Sequence, residues 1–134
     1  MAVEADKTTM SGVKLVRATE RTQAAAQTPG MIREEAFQTD HFWAGIARTK
    51  PGNMSGWHHH GGWETIAYVI AGACQLEFGP GGREVVLGEP GDYIFIPRGV
   101  IHRESNPAEG EQSLVIVRMG GGPVVINVDG PLPG

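Results

Sequence analysis

The chain has 134 residues, 40% of them apolar and 19% charged, which suits one domain with one core and excludes a disordered chain. A formal charge of −4 leaves no basic face for nucleic acid or anionic lipid, so neither is expected as a partner. No apolar run approaches the ~20 residues that span a bilayer; Met1 to Asp6 is acidic with no apolar signal core, and Cys74 is the single cysteine, so a cytoplasmic location is expected.

Residues 1–30 carry Thr, Ala, Gln and Lys with weak patterning and are expected to form an N-terminal arm, partly mobile or packed on a partner subunit. Ala18 to Gln27 has the composition of a short helix, which Pro29-Gly30 would stop. Strand-like runs follow. Phe42 to Ala47 leads into a turn at Thr49 to Asn53. Thr65 to Ile70 and Ala73 to Phe78, separated by Ala71-Gly72, read as a hairpin. Arg83 to Leu87 comes after the turn Gly79-Pro80-Gly81-Gly82, and Tyr93 to Ile96 is short and aromatic-rich. Ser113 to Met119 and Val124 to Val128 are nearly continuous apolar runs, suited to buried strands. No long stretch has a 3.6-residue period, and strands recur at roughly 8–12-residue intervals, which predicts an all-β sandwich or barrel over residues 31–134. Cys74 flanks an apolar run and reads as a small buried hydrophobe.

Four of the five histidines fall in two short segments, His58-His59-His60 and His102. Imidazole is the commonest protein metal ligand, so a metal site is the first reading of such a cluster. The segment Gly91 to Asn106 has the skeleton G-x5-P-x-G-x2-H-x3-N, with Pro97, Gly99, His102 and Asn106 at its fixed positions. Gly52, His58, His60, Glu64 and Gly72 follow a pattern close to G-x5-H-x-H-x3–4-E-x6-G. Together and in this order they resemble the two signature motifs of the cupin family, and turn spacing supports the resemblance from about Phe42 onward. The tail Pro123 to Gly130 is similar to that of small single-domain bacterial cupins.

The resemblance implies a double-stranded β-helix, a jelly-roll barrel that removes most exposed strand edges. It also implies one divalent transition metal ion on His58, His60 and His102, with Fe, Zn, Mn, Ni and Cu not distinguished by these ligands. Strand alternation agrees. His58 and His60 at i and i+2 point the same way, His59 points oppositely, and a later strand delivers His102, leaving open positions for water or substrate. His59 is thus expected beside the site or at the surface. The family's usual fourth ligand is a glutamate. Counting back from Gly72 puts Thr65 in its slot and Glu64 one position early, and a one-residue offset reverses the face. Two readings follow: three histidines plus water with Thr65 nearby, or a bulge at Gly61-Gly62-Trp63 that swings Glu64 inward as a fourth ligand.

Such a site suits a metalloenzyme acting on a small organic substrate. With iron it is similar to the thiol and diketone dioxygenase branch of the cupins; with zinc or manganese it suits an isomerase or lyase. The alternative is a non-catalytic metabolite- or metal-binding module. Besides the histidines, Tyr68, Tyr93, Glu64 and Arg98 are the candidate acid–base groups. Arg98 and Arg103 otherwise read as solvated, His41 as polar surface, and Asn106 as a turn residue. Trp57, Trp63, Met54, Phe42, Trp43, Tyr93 and Phe95 divide between core and pocket. Small cupins commonly pair, so a homodimer is expected.

Overall fold

A computed structural model describes residues 11–25 and 27–134. It is all-β, with two sheets packed face to face. The strands are β1 (Thr22–Gln23), β2 (Ile32–Gln38), β3 (Phe42–Thr49), β4 (His58–His59), β5 (Glu64–Ala71), β6 (Cys74–Phe78), β7 (Glu84–Gly88), β8 (Tyr93–Ile96), β9 (His102–Ser105), β10 (Gln112–Met119) and β11 (Ile126–Asn127). One sheet runs β1-β2-β3-β10-β5-β8 and the other β11-β4-β9-β6-β7, with antiparallel neighbours throughout.

Period-2 alternation sorts the side chains of the larger sheet. In β3, β5 and β10 every second residue is buried over most of the strand. Trp43, Ala47, Ala67, Val69, Leu114 and Ile116 face inward and meet Cys74 and Leu76 of the smaller sheet. Cys74 is thus a core residue, and burial pushes its thiol up, away from reactivity. Val115 and Val117, which the apolar run Ser113 to Met119 suggested were buried on both sides, instead flank Ile66, Tyr68 and Tyr93 in an outward groove.

Three expectations need correction. Ala18 to Ala25 forms no α-helix: a 3-10 turn, Ala18–Glu20, gives way to β1, whose two residues pair with Glu34 and Glu35 of β2. Pairing with an adjacent strand supplies partners that such a short helix would leave to water. Of the arm expected over residues 1–30, residues 1–10 and 26 lie outside the described residues. Ala71-Gly72 is not a hairpin turn. β5 and β6 belong to different sheets, so the chain crosses the sandwich there. Gly72 sits at φ 69°, and a Cβ on it would come within 2.7 Å of Gln112 Cα, so only glycine fits this corner. β6 instead forms a hairpin with β7, closed by Gly79 to Gly82. Lastly, Val124 to Val128 contributes only the two residues of β11, paired with His58 and His59.

Candidate metal centre

β4 and β9 are short, yet their pairing sets His58 directly opposite His102. The two rings stand 4.3 Å apart between centroids, and His60 brings its ring to 5.1 Å from each. All three are buried, with one nitrogen of each within 4.8 Å of the others. Every Nδ1 faces a main-chain carbonyl: His58 that of Gly56 at 2.9 Å, His60 that of Val124 at 2.7 Å, and His102 that of Val100 at 2.8 Å. A carbonyl can only accept, so each Nδ1 carries the proton and each Nε2 keeps its lone pair. Nε2 of His60 and of His102 has no hydrogen-bond partner among the described residues, and Nε2 of His58 has only Arg33 Nη2 at 3.4 Å.

Electrostatics favour the neutral form of His58 and His60. Burial, reinforced by His102, pulls His58 down to about 3. Burial and then the Arg118 guanidinium lower His60 as well. Neutral imidazoles with outward Nδ1 protons and converging lone pairs fit a first-row divalent ion. His59 is turned away and accepts a hydrogen bond from Gly61 N at 3.0 Å.

Thr65 is buried on the inner face of β5, with Oγ1 unpartnered. Glu64 lies on the outer face, paired with Arg98 at 3.3 Å. The bulge reading is therefore corrected. Gly61-Gly62 makes a turn closed by Trp63 N to His60 O at 3.0 Å, and β5 then starts in a register that turns Glu64 to solvent. The other acid–base candidates share that outer face. Tyr68 and Tyr93 have ring centroids 5.0 Å apart across β5 and β8, and Arg98 is largely exposed. None of Tyr68, Tyr93, Glu64 and Arg98 faces the histidines. Glu64→Gln should thus change stability by less than about 0.5 kcal/mol and leave metal content unaltered, as read by urea melts and elemental analysis, because an exposed ion pair contributes little. Loss of metal in that variant would contradict the outward placement.

Three residues at the site escape the motif reading. Glu104, two positions after His102 on β9, is buried with Oε1 3.5 Å from His102 Nε2. With Nδ1 protonated these atoms are both acceptors, and an added proton or a cation beside them removes the conflict. Burial pushes the Glu104 carboxyl up; the Arg33 guanidinium, and a proton or cation on the imidazoles, pull it below the usual carboxylate range. Arg33 of β2 is buried and donates to Thr28 Oγ1 at 2.9 Å. Arg118 of β10 is buried over the Trp43 ring, 5.1 Å from its centroid. The parity used for His58 and His60 would have found two of them. Glu104 shares the face of His102, and Arg118 that of Leu114 and Ile116. Nothing local marks Arg33.

The other singled-out residues are scaffolding or surface. Asn106 is fully buried and binds four main-chain groups. Arg103 pairs with Glu77 at 2.8 Å and covers Trp57, while His41 is exposed. Trp43 and Trp63 are core; Met54, Tyr93 and Phe95 are exposed. An apolar cavity of about 150 Å³ adjoins His102, lined by Leu76, Phe78, Ile94, Ile96 and Val100 and reaching the surface at Val86 and Phe95. No helix among the described residues is long and apolar enough to cross a membrane.

Comparison with known proteins agrees with this architecture. The sequence pattern of the family described as Cupin domain matches residues 45–118. An uncharacterized conserved protein with a double-stranded β-helix domain from Klebsiella pneumoniae superposes with a TM-score of 0.70 at 19% identity, covering 88% of this chain and 99% of that one. The polyketide cyclase RemF from Streptomyces resistomycificus gives a TM-score of 0.70 at 23% identity, covering 87% and 86%. KdgF from Halomonas sp. gives 0.66 at 21%, covering 81% and 94%. At these identities the likeness is one of fold. No curated protein matches the sequence.

Proposed function

The chain belongs to the cupin family, and from that premise we propose that it is a mononuclear metal-binding protein acting on a small organic substrate, its ion held by His58, His60 and His102. One observation supports this above the others: three buried imidazoles have their Nδ1 protons tied to carbonyls, so that three Nε2 lone pairs are left to converge. A bound divalent ion would supply Lewis acidity, and iron would extend this to dioxygen chemistry. The residues of the chain then divide the remaining work. The apolar cavity beside His102 receives the substrate body and excludes water, and Glu104 balances part of the charge.

Elemental analysis of protein purified without an affinity tag tests the reading. About one first-row ion per chain is expected. Iron together with oxygen uptake on substrate addition assigns a dioxygenase, and zinc or manganese without it an isomerase or lyase. A protein devoid of metal after expression in supplemented medium would sink the proposal.

A binding module without catalysis is the second reading. Its support is the placement of Tyr68, Tyr93, Glu64 and Arg98 on the outer face, away from the histidines. We also propose residues 1–30 as an arm flanking a barrel of residues 31–134, a cytoplasmic location and a homodimer. The outward groove of Ile66, Tyr68, Tyr93, Val115 and Val117 supports pairing between copies. Light scattering should give twice the chain mass, and a monomer at high micromolar concentration would exclude the dimer.

A further inference from the structure

The inner face of the larger sheet carries a row that runs from cation to hydroxyl to apolar surface. β10 sets Arg118 opposite Thr65 of β5, and β8 sets Ile96 on the other side of Thr65. Arg118 is 2% exposed and Thr65 1%. Arg118 Nε and Nη1 and Thr65 Oγ1 all lack a hydrogen-bond partner among the described residues. Buried donors are almost always satisfied, so three adjacent orphans beside a candidate metal centre call for a missing acceptor.

Charge points the same way. Among the described residues the buried charged side chains are Arg33, Arg118 and Glu104. Two cations against one anion leave one positive charge in the interior, and a divalent ion would raise the excess. Arg33 has Thr28, Met31 and His58 as neighbours and lies within the influence of Glu104. Arg118 has an aromatic face beneath it and, among the described residues, no carboxylate in salt-bridge contact; Glu104 acts on it only at longer range. Burial and then Arg33 pull its guanidinium down to about 9, which still leaves it charged at neutral pH. An uncompensated buried charge is costly to keep, and an anion is what relieves it.

We propose that Arg118 and Thr65 form the seat for the anionic oxygen group of an organic acid, whose apolar body lies along Ile96 in the cavity beside His102. This rests on the substrate-binding reading above and names its substrate class. A guanidinium edge and a hydroxyl suit a carboxylate, and the cavity of about 150 Å³ accepts a group the size of a benzene ring. Ile96 lines that cavity and is the strand neighbour of Thr65, which sets the head site beside one wall of the body site.

Titration calorimetry of the full chain, as isolated and after chelation, with benzoate and its neutral isostere benzamide, tests the assignment. Benzoate should bind at least about tenfold more tightly than benzamide, as expected for a charge-assisted contact. Arg118→Gln should abolish that preference while keeping its metal content, and Thr65→Val should weaken benzoate severalfold. Arg118→Lys, which keeps the charge but loses the fork, should fall between. If Arg118→Gln does not give a native circular dichroism spectrum, Thr65→Val and Arg118→Lys decide. Equal affinities for the two probes, no benzoate binding at millimolar concentration, or an undiminished preference in the Arg118 variants would overturn the seat. Metal present with no benzoate preference removes the seat alone. Preference retained in a protein that never holds metal keeps the seat and removes the metal reading.

Discussion

His102→Ala is expected to bring the metal content from about one ion per chain to below about a tenth after dialysis, with His58→Ala and His60→Ala behaving alike. The size of the loss follows from the donor set. Among the described residues, three histidine nitrogens are the donors grouped in mutual reach, and Glu64, the carboxylate nearest the family pattern, faces solvent. Disturbing a group that merely orients a metal ligand typically lowers affinity 10–100-fold, so removing a ligand should lower it by at least about 100-fold. The stability effect is read separately. If the wild-type site is filled at about 100 times its dissociation constant, the ion contributes about 2.7 kcal/mol, and chelation should erase that difference in melting. Three alanine variants that each kept stoichiometric metal would exclude the site.

Asn106→Ala should destabilise the ligand-free chain by about 3 kcal/mol, with no change in the denaturant slope. Asn106 Nδ2 donates to Thr49 O at 3.0 Å and Gly110 O at 2.8 Å; Oδ1 accepts from Ala108 N at 3.1 Å and Ala73 N at 3.4 Å. Its own main chain also bonds Gly52 and Asn53 in both directions. The side chain thus ties the end of β3 to the corner after β5 and to the loop before β10. Alanine leaves those buried amides and carbonyls without partners, and each such loss costs about 1–3 kcal/mol less whatever water recovers. Asn106→Asp should do more damage, since it turns a carboxylate oxygen toward two carbonyls. A urea midpoint shift equivalent to less than about 1 kcal/mol would show that Asn106 is not the hub its contacts describe.

The parts of this molecule that could be read in advance are those fixed by short spacing. His58 and His60 share a face because they are two apart, and Pro97 and Gly99 shape the turn that leads into His102. Thr65 in place of a carboxylate was legible from Gly72 by counting. What could not be read depends on pairing between distant segments. Gly72 looks the same in sequence whether β6 returns beside β5 or crosses to the other sheet, and the crossing shows only once the strands are paired. β2 gives no strand signal because the consecutive charges Arg33, Glu34 and Glu35 interrupt any apolar alternation, and the residue it buries is Arg33. Arg118 and Glu104 were hidden in plain view, since charged residues are discounted as surface before their parity is checked.

The three atoms that orient the histidines are carbonyl oxygens of Gly56, Val100 and Val124, not side chains. Backbone oxygens are supplied by every amino acid. Mutation at these positions can therefore wander among residues that keep the loop path without disturbing the ligand tautomers. Inheritance of this site is a matter of loop shape, and descendants could diverge widely in letters while the three imidazoles keep their aim.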